Sequence, residues 1–182
     1  MGKNKAVSGA ISVIAGLALV VLVCQLVAGQ GGNQVQQLFK PENNENIKDN
    51  KPYFSWRHVD NENILNWRYH LVISTYQDFG ENIYDNDNIR DNQIEIEDEL
   101  SDNLYYWKVR IENDEYQGDW SPVGCFRVDT VPPSAPSDLT ASPSGWTNTN
   151  SFTVSWTNPS DASGIVGAYY KLDSPPTSNT DG

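Results

Sequence analysis

Between residues 53 and 128, large apolar side chains recur at every second position in short runs, and Asn, Asp, Gly or Pro separates each run from the next. An extended chain turns successive side chains to opposite faces, so each such run buries one face and wets the other. Phe54 and Trp56 share a face in the run over residues 53–59. Trp67, Tyr69, Leu71 and Ile73 alternate with Arg68, His70 and Val72. Ile94 and Ile96 alternate with Glu95 and Glu97 up to Leu100, and Tyr105, Trp107, Val109 and Ile111 alternate with Tyr106, Lys108 and Arg110. Phe126 and Val128 close the set, and no stretch here has the spacing of an amphipathic helix. The pattern predicts an all-β antiparallel sandwich with Phe54, Trp56, Trp67, Trp107 and Val109 in its core.

The segments FSWRHV, YHLVIST, LSDNLYYWKVRIEN, GDWSP and FRVDTVPP carry a resemblance. In order, they resemble strand B, strand C, the E–F turn with strand F, and the approach to and body of strand G in fibronectin type III-like modules. Such modules occur in large bacterial and archaeal cell-surface proteins. The resemblance covers about residues 36–130 and implies an immunoglobulin-like β-sandwich. It further implies a tyrosine near the start of strand F whose hydroxyl bonds back to the backbone across the turn. Facing parity favours Tyr105 for that role, while the distance from Leu100 fits Tyr106 equally well.

Ahead of this region, residues 6–29 hold no charge. As a helix they would extend about 36 Å, enough to cross a hydrocarbon core of about 30 Å. Lys3 and Lys5 precede the segment and the next basic residue is Lys40, which predicts a cytoplasmic amino terminus and an exported remainder. Residues 1–29 are thus expected to be a signal anchor or a signal peptide, forming one apolar helix, with a flexible linker over 30–35. Length favours a retained anchor, whereas Val27, Ala28 and Gly29 suit a cut after Gly29. Cys24 does not suit lipid attachment, because Val23 stands where a small residue is required. Lys5 and Ala6 followed by VSGAISVI also resemble the processing site of archaeal type IV pilin-like proteins, although the helix glutamate of bacterial pilins is absent.

Beyond the sandwich, residues 131–137 form a Pro-rich linker, stiffened by fixed proline angles. SFTVSWTNP then repeats the plan of YFSWRHV, with Phe152, Val154 and Trp156 alternating inward, and GIVGAYYKL reads as the following strand. Residues 138–182 are expected to be the N-terminal part of a second immunoglobulin-like module, lacking its E, F and G strands. A half sandwich of this size buries too little surface to stand alone. A truncated second module is therefore the expectation, and its completion by a strand in trans is the alternative.

Charge and chemistry narrow the function. The net charge is −12, and apart from Lys3 and Lys5 every ionised side chain lies beyond residue 39. A surface this acidic repels phosphate backbones, so nucleic acid is not an expected partner. Solubility accounts for the acidity, with calcium as the sharper reading of the run DNDNIRDNQIEIEDELSD. Counted from Asp85, however, an EF-hand loop would need glycine where Arg90 stands and glutamate where Ile96 stands, so Asp85, Asp87 and Asp91 are expected in an acidic loop between strands. His58, at the end of its strand, and His70, on an outward position, lack a neighbouring cysteine or second histidine and are expected at the rim or in solvent. Cys24 and Cys125 are too differently placed to bridge. Trp120 is the aromatic most expected at the surface, packed against its loop base; a sugar platform is the functional alternative for the aromatics.

No catalytic pair, cofactor loop or metal-ligand cluster emerges, so no catalytic, cofactor-binding or metal residues are assigned and no cofactor is expected. The expected function is a non-catalytic spacer, display or adhesion element, held to the membrane through residues 6–29 with an extracellular C-terminal portion, or secreted. The alternatives are the accessory portion of a secreted enzyme whose catalytic domain lies beyond residue 182, and a pilin-like subunit.

Overall fold

The computed structural model describes residues 35, 37–59, 66–148 and 151–168. The apolar segment over residues 6–29, with Cys24, lies outside them. The chain divides into two compact units, with the boundary between Val131 and Pro132. All regular structure among the described residues is β.

In the first unit, β1 (Leu38–Lys40), β3 (Tyr53–Trp56) and β6 (Gln93–Glu95) form a three-stranded sheet in the order β1-β3-β6. A five-stranded sheet contains β2 (Glu45–Ile47), β8 (Gly124–Val128), β7 (Asn103–Glu112), β4 (Arg68–Ser74) and β5 (Tyr84–Ile89), in that order. All pairings are antiparallel except β2 with β8, where Glu45, Asn46 and Ile47 run parallel to Phe126, Arg127 and Val128. Successive strands that change sheets in this order define an immunoglobulin-like sandwich.

The alternation read from the sequence becomes the core. β7 shows it along its length, with Tyr105, Trp107, Val109 and Ile111 buried and Tyr106, Lys108 and Arg110 half-buried on the other face. Phe54 and Trp56 from one sheet meet Trp107 and Tyr69 from the other, edge to face, with ring centres 5.0 and 5.2 Å apart. Phe54 also meets Phe126 at 5.6 Å, and Tyr105 stacks on Phe126 at 5.5 Å. Such pairs each contribute about 0.5–1.5 kcal/mol beyond their buried area. Val35 is fully buried with this cluster, and Cys125 is buried as a free thiol. The indole Nε1 of Trp56 and of Trp107 finds no hydrogen-bond partner among the described residues.

Two local features differ from the sequence expectation. Strand β3 ends at Trp56, before His58. The start of the acidic run was expected as a loop, but its residues 85–89, with Tyr84 before them, form β5 at the sheet edge, paired to β4 through backbone groups. Backbone pairing needs no apolar side chain, and Asp and Asn on an outermost strand discourage further strands from adding. Asp91 lies just beyond, in a bend.

In the second unit, β9 (Ser137–Ser142) pairs antiparallel with β10 (Thr153–Thr157). Phe152, Val154 and Trp156 are half-buried on alternate positions. Residues 164–168, the described part of the expected third strand, are not in strand conformation, and Gly164 has φ of 89°.

Candidate functional site

The outer face of the five-stranded sheet gathers the polar and aromatic side chains that the core leaves out. Its registers set Arg68 opposite Glu112, His70 opposite Arg110 and Val72 opposite Lys108. Side chains directly across antiparallel strands are near neighbours, so outward residues of β4 and β7 must interact. Glu112 is the hub. Its carboxylate accepts from Arg110 Nε at 2.8 Å and lies 3.6 Å from Arg68 Nη2 and 3.3 Å from His70 Nδ1. The other His70 ring nitrogen, Nε2, is 2.6 Å from Asp85 Oδ1, and Arg68 Nη1 donates to Asp114 at 2.9 Å. Glu112 retains only 4% of its side-chain exposure, so its charge is tolerable only because three cationic or protonatable groups surround it.

Trp120 covers this array. The loop after β7 stays zipped to the strand: Gly118 N donates to Ile111 O at 2.9 Å and Ser121 N donates to Val109 O at 2.8 Å. The buried Ser121 hydroxyl accepts from Val109 N at 3.1 Å and donates to Pro122 O at 2.8 Å. With Ser121 turned inward, alternation sends Trp120 outward onto the sheet. Its ring centre lies 4.5 Å from the Arg110 guanidinium carbon, 4.7 Å from Lys108 Nζ and 5.1 Å from the His70 ring. From the other side, the hairpin between β4 and β5 brings Phe79 to 3.9 Å from Lys108 Nζ. Ser74 holds that hairpin, donating to Glu81 O at 2.5 Å and accepting from Tyr76 N at 3.0 Å. Phe79 has φ of 59°, a left-handed conformation that a bulky residue adopts at a cost of about 1–3 kcal/mol. Burial, and next the Arg110 charge beside it, lower the Lys108 pKa below the ordinary lysine value.

The remaining sequence candidates are dispersed. His70 does hold an outward position, yet its side chain is only 15% exposed because Asp85, Glu112 and Trp120 enclose it. His58 is exposed past the end of β3, where Nδ1 is 3.0 Å from the Tyr69 hydroxyl and its ring meets Trp67 at 5.1 Å. Asp85 and Asp87 are both exposed, and of these Asp85 engages His70 and accepts from Asn82 Nδ2. The corner hydroxyl left open between two tyrosines belongs to Tyr105, which donates to Ser101 O at 2.7 Å. Burial, with a smaller contribution from Asp102, raises its pKa. No group of three or more His, Cys, Asp or Glu able to hold a metal occurs among the described residues. A polar depression of about 460 Å³ at the Leu100 end is lined by Asn50, Glu99, Ser101, Asp102 and Thr130. There the Asp102 carboxylate already accepts from Thr130 N and Oγ1. Sequence reasoning missed the convergence of Lys108, Arg110, Glu112 and Trp120. Their shared outward parity was the one available signal.

No family model matches the chain, and no curated protein matches it. Among solved structures, the crystal structure of chicken CNTN1 FN1-FN3 domains is similar to 60% of this chain at 17% identity, with a TM-score of 0.38. The chain spans 38% of that structure. The class is defined by the strand order itself: the first unit is an immunoglobulin-like β-sandwich module, with a tyrosine corner and an aromatic core in place of a disulfide.

Proposed function

We propose that this protein is a non-catalytic spacer or display element of the cell surface, attached to the membrane through residues 6–29, with the remainder extracellular. The fibronectin type III-like character of the module and its kinship to microbial surface proteins belong to the same reading. The observation that carries the proposal is the direction of the chain through the first unit. β2, near its start, runs parallel to β8, at its end. Leu38 in β1 lies against the beginning of β8 at Gly124, whereas Val128 at the far end of β8 faces Asn103. The chain therefore enters at one end of the sandwich and leaves at the other. A module threaded in this way adds its own length to a stalk; the ten residues of β7 alone extend about 33 Å. Inward aromatics serve packing, and the abundant carboxylates keep the exterior hydrated.

The test is topological. Intact cells expressing the chain are treated with a protease, and fragments of residues 36–130 are followed by mass spectrometry alongside a cytosolic marker. Release of those fragments with the marker untouched is the expected outcome. Protection of the region until the cells are lysed would falsify the surface assignment. The mature amino terminus, sequenced from the same material, separates a retained anchor from cleavage after Gly29 or after Ala6.

A further inference from the structure

From Thr130 to Asn148 the chain is exposed at every residue, strand β9 included. Between Asp129 and Asp161 the sequence holds one charged side chain, Asp138, against thirteen Ser or Thr and five Pro. Val131, Leu139 and Trp146 stand exposed in the same stretch. Carboxylates hydrate the first unit, whereas here hydroxyls are the main polar groups. Three of them are engaged. Thr130 Oγ1 donates to Asp102 Oδ1 at 2.9 Å, Ser137 Oγ donates to Asp138 Oδ2 at 2.9 Å, and Thr140 Oγ1 lies 3.0 Å from Ser155 Oγ. Ser142 lies within β9, opposite Thr153. Ser134 and Ser144 differ: each lies outside the strands, and neither its hydroxyl nor its backbone makes a hydrogen bond among the described residues. Prolines flank both, as Pro132, Pro133 and Pro136 around Ser134 and Pro143 before Ser144. Proline has no N–H to donate and holds the residue before it extended. An extended, unbonded backbone with an open hydroxyl is the form in which a modifying enzyme takes a peptide into its groove.

We propose that Ser134 and Ser144 are O-glycosylation sites that carry neutral sugars. In the transfer, the serine Oγ attacks the anomeric carbon of a glycosyl phosphate donor. The bond from Oγ to that carbon forms as the bond from the carbon to the donor's phosphate oxygen breaks. The hydroxyl proton passes to a base of the transferase, and the phosphate leaves with the electron pair. Composition accords with this, because Ser/Thr-rich, Pro-rich segments suit O-linked sugars. Charge favours a sugar over a phosphate. A phosphoserine gains from Arg or Lys beside it, and the sequence has no basic residue between Arg127 and Lys171, whereas Asp129, Asp138 and Asp161 would repel it. A neutral sugar adds hydroxyls to the segment without adding to a net charge already at −12. It also hydrates the stretch that holds exposed Val131 and Leu139.

The experiment uses the full chain isolated from the cells that naturally make it. Trypsin cuts after Arg127 and next after Lys171, so one peptide carries both serines. Mass spectrometry of that peptide, with fragmentation that keeps a sugar on its residue, should show increments of whole neutral sugars placed on Ser134 and Ser144. Alkaline β-elimination should remove them, as it does a sugar held by a serine oxygen. Ser134→Ala and Ser144→Ala, made in the same cells, should each lose one glycan and together lose both. Both positions are exposed, so thermal unfolding should be unchanged by either substitution. Thr140→Val, which removes a hydroxyl already set against Ser155, should keep the wild-type increments. The proposal is overturned by an unmodified peptide, by phosphate in place of sugar, by sugar found only on other residues, or by increments that persist in the double variant. Protease treatment of intact cells reads the surface assignment separately: a released chain without sugar overturns glycosylation and leaves that assignment standing.

Discussion

At Gly124 a hydrogen is the only side chain that fits. A Cβ built there would stand 2.6 Å from Trp107 Nε1 and 3.0 Å from Leu38 Cδ1. The indole is fully buried and braced by Phe54, so it cannot move aside as a flexible surface chain would. Gly124→Ala is therefore expected to destabilise the module by about 2–3 kcal/mol, measured as a lower urea midpoint with an unchanged slope. Tyr105 makes a second single-residue statement. Tyr105→Phe removes the hydroxyl bonded to Ser101 O and should cost about 1 kcal/mol. Because the folded state raises the Tyr105 pKa, it favours the neutral phenol. That contribution is fully present below the unfolded value of about 10 and is lost as pH rises through the folded value. The stability gap between wild type and Tyr105→Phe should accordingly narrow in urea titrations carried from pH 8 to 11. Sequence spacing had reduced the corner to two tyrosines. Choosing between them needed the strand register, since Tyr106 opposes Cys125 and points to the other face.

Element by element, β7 does the most to organise the module, because its two faces carry different tasks. The inward face supplies four core side chains, and the outward face supplies Lys108, Arg110 and Glu112 to the covered charge array. Removing the Glu112 carboxylate leaves Arg68, Arg110 and His70 close together without their shared counter-charge. Glu112→Ala should therefore destabilise by about 2–4 kcal/mol, read in urea unfolding. A double-mutant cycle with Arg110→Ala should recover part of that loss, since both changes remove the same pair. Core-facing positions of β7 were legible from alternation alone. The outward array was not: alternation reports which face a side chain takes, and nothing in it tells which outward residues of β4, β5 and the 113–123 loop come together. For the same reason His70 read as rim or solvated and proved enclosed. β5 was hidden for a different reason, as four of its six residues are Asn or Asp and it is held by backbone pairing to β4.

The first unit as a whole has the properties of an autonomous domain. Among the described residues its core is one continuous cluster drawn from both sheets, from Val35 to Val128. Residues 35–131 expressed alone are expected to give a β-type circular dichroism spectrum and one cooperative thermal transition. A helical spectrum or a non-cooperative melt would contradict that expectation. The second unit presents two described strands, paired antiparallel, with Leu139 71% exposed and Trp146 fully so.

What the amino-acid order determined by itself was the class of fold and most of its core; Trp67, expected inside, is only partly buried against that core, and the buried Val35 was not foreseen. A period of two is a local property of an extended chain, and the bulk of the inward aromatics leaves few ways to satisfy them. Tertiary structure alone decided the rest: the parallel pairing of β2 with β8 that sends the chain in at one end and out at the other, the phenol that closes the corner, and the meeting of Lys108 with Phe79 and Trp120. Apart from the corner bond, which spans only from Tyr105 to Ser101, those contacts join residues well separated in the chain, and their partners are chosen by register and loop path, which hydrophobic alternation does not encode.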